Sequence, residues 1–337
     1  MIDPRLPFID LHRHLEGCVR LGTMLELADR HGLELPARTE ATLRPHVVIT
    51  GALGGLMDFL GRLHWMVHVL ADPDACRRVA YECVVDAAGE GIDYLELRFS
   101  PVFMARPHGL NPPDVVAAVI DGARAGAHDS GLATKLIGIL SRTFGPESGR
   151  VELEALLAHR AALEALDLAG DEAGFPGRLF HEHFRRGRDA GWRITVHAGE
   201  VAGAENIRYA VEELGATRIG HGIRSVDDPA VIDLLARRGI GLEVNLTSNV
   251  QTGAVPSLAG HPLKRLLEHG IAAGLNTDDP AISGIDLRHE FEVAAKAAGL
   301  TPGLARRTQE HALAMAFLSP GERAALLRRA AGRGSRP

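Results

Sequence analysis

The sequence predicts a single (β/α)8 TIM barrel of the metal-dependent hydrolase type over residues 1–337, on three observations. Short apolar runs rich in β-branched residues recur between Pro7 and Asn276, giving eight strand candidates, and helical sequence follows each. His197 and His221 are 24 residues apart, as are His221 and Asn245, the length of one short helix, one strand and their loops. The first strand turn carries no G-x-G-x-x-G, the pattern a doubly wound open sheet would place there.

Composition sets the broad class. With 46% hydrophobic and 24% charged residues, the chain can bury a large core. Its net charge of −6 works against binding a phosphate backbone, so nucleic acid is not an expected partner. Cys18, Cys76 and Cys83 are an odd, scattered set without a C-x-x-C pair, as is usual in reducing compartments. Met1 to Pro7 holds no apolar signal core, and no uninterrupted apolar run reaches about 18 residues. A cytoplasmic protein with no membrane span is expected.

The first strand is Pro7-Phe8-Ile9-Asp10-Leu11-His12-Arg13-His14. Side chains two apart share a face, so His12 and His14 point together and Arg13 points away. Residues 21–89 have helical apolar spacing, and an insertion of that kind after the first strand lies over a barrel mouth as a lid would. Phe59, Leu60, Leu63 and Trp65 lie on it. From Asp93 onward strand and helix sequence alternate. Strands are expected at Tyr94–Phe99, Leu136–Leu140, Leu166–Ala169, Trp192–Val196, Arg218–His221, Gly241–Asn245 and Ala272–Asn276. Residues 328–337 read as a basic, solvated tail.

Catalytic groups of parallel α/β folds collect at the carboxyl ends of the strands. Four potential ligands sit there: His12 and His14 on the first strand, His197 on the fifth and Asp278 on the eighth. Three neutral imidazoles and one carboxylate suit zinc and leave room for a water. Asp279, followed by Pro280, caps the next helix while facing the site. His221, flanked by Gly220 and Gly222, is placed to act as a base or orienter for an activated water, and Glu200, a turn beyond His197, as a proton shuttle. The fourth strand lacks the lysine that bridges two ions in binuclear barrel hydrolases, and Lys135, Lys264 and Lys296 are the chain's only lysines. One zinc per chain is therefore expected.

These residues, taken in order, carry a resemblance. The segments Leu11-His12-Arg13-His14-Leu15-Glu16-Gly17, Leu95-Glu96-Leu97-Arg98-Phe99-Ser100-Pro101, Asp167-Leu168-Ala169-Gly170-Asp171-Glu172 and Val196-His197-Ala198-Gly199-Glu200 form its first half. Ile219-Gly220-His221-Gly222, Thr247-Ser248-Asn249-Val250-Gln251-Thr252-Gly253 and Leu275-Asn276-Thr277-Asp278-Asp279-Pro280 complete it. In joint order and spacing they resemble the adenosine deaminase family of the amidohydrolase superfamily over most of the chain.

The resemblance implies zinc on His12, His14, His197 and Asp278, with hydrolytic attack at C6 of a 6-aminopurine. Glu200 would protonate N1, His221 and Asp278 would orient and help deprotonate the water, Asp279 would bind the N7 side and the Gly170 backbone N3. His14 and Glu16 would border the substrate. Adenosine, with deoxyadenosine, is the substrate it favours, giving the 6-oxopurine and ammonia. Adenine or another N6-bearing nucleoside is the alternative, since adenine-specific relatives tend to carry Glu at position 16 where nucleoside-specific members carry Asp. A catalytically silent nucleoside-binding protein on the same fold is the remaining reading. His311 stands where the family commonly has Asn.

Overall fold

The computed structural model describes residues 1–333 and places eight parallel strands in the order of the sequence: β1 Ile9–His14, β2 Tyr94–Phe99, β3 Ala133–Ser141, β4 Ala165–Ala169, β5 Arg193–Ala198, β6 Arg218–His221, β7 Gly241–Val244 and β8 Ala273–Leu275. Each strand pairs with the next in parallel register, and helices lie between them, as the eightfold alternation predicts. The sheet closes on itself where the chain just past β8 meets the end of β1. There the His14 N–H donates to the Asp278 carbonyl at 2.7 Å, and the Asp278 N–H donates to the His12 carbonyl at 2.8 Å. This closure brings two of the predicted ligands against a third.

The strands are buried on both faces, which is why they read as near-continuous apolar runs. β1 departs from regular pairing: its register against β2 shifts from Asp10↔Leu95 to Arg13↔Leu97, so one extra residue is accommodated between them. Such bulges re-aim side chains beside active sites. Arg13 turns outward, bonding Asp10 at 3.0 Å and Thr277 at 3.2 Å, and Glu90 at 2.6 Å, and so ties the strand to its neighbours from behind.

Four helices separate β1 from β2: α1 Leu21–His31, α2 Glu40–Val47, α3 Leu56–His68 and α4 Pro73–Gly89. Asp72 caps α4 by accepting from the Ala75 N–H at 2.7 Å, with Pro73 at the first helical position. α3 roofs the barrel mouth, burying Phe59 and Leu63 beneath it. No helix among the described residues is long and apolar enough to cross a membrane. Arg328 and Arg329, expected in a basic tail, belong to the last helix, Pro320–Arg333, and residues 334–337 lie outside the described residues. His311 lies away from the barrel mouth. Its Nδ1 accepts from the Ala273 N–H at 3.1 Å, which fastens the helix Pro302–Met315 to β8.

Candidate active site

The ends of β1, β5, β6 and β8 bring the predicted ligands to one point. His14 Nε2 is 3.3 Å from His12 Nε2, 3.2 Å from His197 Nε2 and 3.3 Å from Asp278 Oδ1, and His12 Nε2 is 3.2 Å from that same oxygen. Four donors each about 2.0–2.1 Å from a tetrahedral zinc would stand about 3.3 Å apart, so the four measured separations fit one small cation. Burial holds His14 and His197 below the usual imidazole range, leaving them neutral as ligands must be. His12, His197, His221 and Asp278 also offer ligand atoms within 4.8 Å of one another. His221 Nε2, however, is 3.8 Å from Asp278 Oδ2 and 3.6 Å from Glu200 Oε2, which places it beside the tight quartet rather than in it.

Carboxylates behind the cluster fix how its imidazoles present themselves. His12 Nδ1 donates to Glu243 Oε2 at 2.7 Å and His197 Nδ1 donates to Asp167 Oδ1 at 3.1 Å, so each Nε2 lone pair is directed to the centre. Arg98 joins the two carboxylates, at 2.7 Å from Asp167 and 2.6 Å from Glu243. Arg218 bonds Glu243 from the other side and reaches Glu96. All of these charged side chains are buried inside the barrel. The sequence gives no local sign of these roles, because the partners come from different strands; a charged residue inside a doubly covered apolar strand is the one available hint.

The backbone at the site is strained. Among the described residues only His221 (φ 59°) and Asp278 (φ 63°) are non-glycine residues in the left-handed region, which costs about 1–3 kcal/mol each. Gly220 lies between the two histidine strands: a Cβ there would stand 3.0 Å from His12 Cε1 and 3.3 Å from the His197 ring. Glu172 holds the loop that carries Glu200, accepting from the backbone N–H groups of Gly199 (2.6 Å), Glu200 (3.2 Å), Val201 (3.2 Å) and Ala202 (3.1 Å).

Three acids face the space above the cluster. Burial, with the charges of Asp278 and Glu172, pushes Glu200 up to about 8, and its Oε1 accepts from Thr252 Oγ1 at 3.2 Å. Burial beside Asp278, Glu16 and Glu200 raises Asp279 well above the carboxylate range, and its Oδ1 has no hydrogen-bond partner. Burial raises Glu16 to about 7; Oε1 accepts from the Ser100 N–H at 2.6 Å, while Oε2 is buried and unpaired. A small inner compartment is bordered by His197, Glu200, His221, Asp278, Asp279 and Gly170. It adjoins an outer cavity of about 320 Å³ bordered by His14, Glu16, Gly170, Asp279 and the α3 residues Leu60 and Leu63. Every residue that the sequence singles out for the site borders one of these two compartments except His12, which is buried beneath them.

Gly17 explains how Asp279 is packed. A Cβ at Gly17 would fall inside the Asp279 carboxyl group. Gly17→Ala is expected to displace that group and lower kcat/KM about a hundredfold. Bound metal, measured by elemental analysis, should stay at the wild-type level.

Eight parallel strands with three imidazoles and an aspartate converging at their carboxyl ends define a hydrolase of the amidohydrolase type. The family model for adenosine deaminase matches residues 7–331, and the chain belongs to that family. It is 59% identical to the adenosine deaminase of Edwardsiella ictaluri over 97% of this chain and 98% of that one. The solved adenine deaminase from Arthrobacter aurescens superposes with a TM-score of 0.90 at 29% identity, covering 98% of this chain and all of that one. An amidohydrolase from Burkhoderia ambifaria, solved with bound Zn, gives 0.87 at 27% identity, over 98% and 91% of the two chains.

Proposed function

We propose that this protein is a zinc-dependent aminohydrolase that converts adenosine, and deoxyadenosine, to the 6-oxopurine nucleoside and ammonia. The observation that carries this reading is the meeting of four donor atoms, with His14 Nε2 3.2–3.3 Å from the other three and His12 Nε2 3.2 Å from Asp278 Oδ1, beside two buried acids. His12, His14, His197 and Asp278 would hold one zinc. Zinc held there supplies a Lewis acid that makes water nucleophilic at neutral pH.

The protein groups match the acceptors of an adenine ring. N1, N3 and N7 each offer a lone pair, and each needs a donor. Glu200, protonated at neutral pH, gives its proton to N1 and makes C6 the better electrophile. Asp279, kept protonated by burial, donates to N7, and the Gly170 N–H meets N3. His221 and Asp278, 3.8 Å apart at the wall of the inner compartment, orient the attacking water. The apolar side chains of α3 line both compartments and so lower the polarity around these bonds, which strengthens each of them.

The 59% identity to an adenosine deaminase favours a nucleoside over the free base. Glu16 Oε2 is a buried acceptor without a donor, and either a sugar hydroxyl or the N9–H of free adenine would supply one. An ultraviolet assay of both substrates tests this. The value of kcat/KM for adenosine should exceed that for adenine by at least about a hundredfold, the discrimination a hydrogen-bonding site achieves. A preference for adenine would overturn the nucleoside assignment. Removing metal with a chelator should abolish turnover, and activity should return at about one zinc per chain; a requirement for two would rule out the mononuclear site.

A further inference from the structure

Behind His221 runs a chain of hydrogen bonds whose directions are all set by one backbone amide. The Leu263 N–H donates to His261 Nδ1 at 3.1 Å. A backbone N–H can only donate, so this ring nitrogen is an acceptor. Burial pushes His261 down to about 3, so the ring is neutral and its one proton is on Nε2. That N–H donates to Asn249 Oδ1 at 3.1 Å, which fixes the amide with its NH2 group toward His221. Asn249 Nδ2 then donates to His221 Nδ1 at 2.8 Å. Asn245 Nδ2, 3.4 Å from Nδ1 and 3.5 Å from Nε2 of the same ring, is committed to neither nitrogen, so Asn249 alone sets the direction. His221, Asn249 and His261 are all buried, and the bonds that link them run between buried side chains.

We infer that Leu263, His261 and Asn249 form a directional relay that locks His221 in the tautomer with its proton on Nε2, so that His221 meets the reacting water as a hydrogen-bond donor and not as a base. Its Nε2 faces the gap between Glu200 Oε2 at 3.6 Å and Asp278 Oδ2 at 3.8 Å. A donor there holds the attacking oxygen by a lone pair and cannot accept its proton, which leaves removal of that proton to the Asp278 carboxylate. His261 and Asn249 touch neither reacting atom and are positioning residues. This assignment rests on the aminohydrolase reading for its consequence, though not for the tautomer itself.

Nitrogen-15 NMR of the zinc-loaded, imidazole-labelled protein reads the tautomer directly, with the His221 signals identified by their loss in His221→Gln. The expected spectrum shows a protonated Nε2 and an unprotonated Nδ1. A protonated Nδ1 would overturn the relay whatever the substrate turns out to be. Two near-isosteric changes then test the consequence. His261→Met has no hydrogen to donate to Asn249, so the amide is no longer held with its NH2 toward His221 and the His221 proton is free to move to Nδ1. It should lower kcat about ten- to hundredfold with KM changed less than about threefold. His261→Gln keeps a donor toward Asn249 and should restore most of that loss. Equal rates in the two variants would show that His261 serves packing alone. Absence of adenosine turnover in the wild-type protein, with the expected tautomer present, would instead refute the substrate assignment.

Discussion

Glu200→Ala should lower kcat by about 10²- to 10⁴-fold, the usual span for loss of a general acid, or about 3–5 kcal/mol of barrier. Bound zinc should be unchanged, because Glu200 stands beside the four ligands and its loop is held by Glu172. The pH dependence follows from its environment. A carboxyl raised to about 8 keeps its proton at pH 7 and gives it up as pH rises through 8, so kcat/KM should fall on the alkaline side. Glu200→Gln preserves a donor toward N1 but has no proton to transfer; it should bind substrate with nearly the wild-type KM, turn over as slowly as the alanine variant, and lack that alkaline limb. The same burial carries a stability cost of definite sign. The unfolded carboxyl ionises near 4.5 while the folded one stays protonated to about 8, so folding loses stability as pH climbs between those values. Glu200→Gln removes that penalty and should unfold at a higher temperature at pH 9. Wild-type turnover in either variant would take Glu200 out of the mechanism.

The strand ends were legible because each departs from its own apolar run. Val196-His197 and Gly220-His221 set a titratable group directly after residues that only a covered strand would use, and the observed β5 and β6 end within a residue of those positions. The helical insertion was legible by its apolar spacing, although α2 is marked only weakly, with Pro45 in its interior and two buried residues. The shell behind the ligands is different in kind. His12 meets Glu243 across 231 positions and Arg98 meets Asp167 across 69, so no local window contains both partners. Glu243 in Gly-Leu-Glu-Val looks like an outward-facing residue of a half-exposed strand, and only barrel closure turns it inward. The relay through Asn249 and His261 is illegible for the same reason. A hydrogen-bond direction depends on which atoms meet, and sequence spacing does not encode that.

Glu243→Ala should be the most destabilising single change at the site. One carboxylate there serves four donors: Oε2 takes Arg98 at 2.6 Å and His12 at 2.7 Å, and Oε1 takes Thr195 at 2.9 Å together with Arg218. Two guanidiniums in the barrel interior share this anion, and both are buried to within 1% exposure. A buried ion pair adds little net stability when whole, since desolvation offsets attraction, but removing one partner leaves charge without compensation and costs about 3–5 kcal/mol. Denaturant unfolding of the zinc-loaded variant should show a loss of that size, and zinc affinity, measured against a competing chelator, should weaken about ten- to a hundredfold as His12 loses the bond that orients it. Glu243→Gln separates the two effects. It fills the same volume, but its amide nitrogen cannot accept, so either the His12 side or the Arg218 side is left facing a donor. If stability falls while zinc affinity holds, the amide has kept its oxygen on His12; if both fall, it has turned away. A loss below about 1 kcal/mol in Glu243→Ala would mean that water enters the barrel to replace the carboxylate, and the view of this interior as a dry ionic support for the ligands would fail.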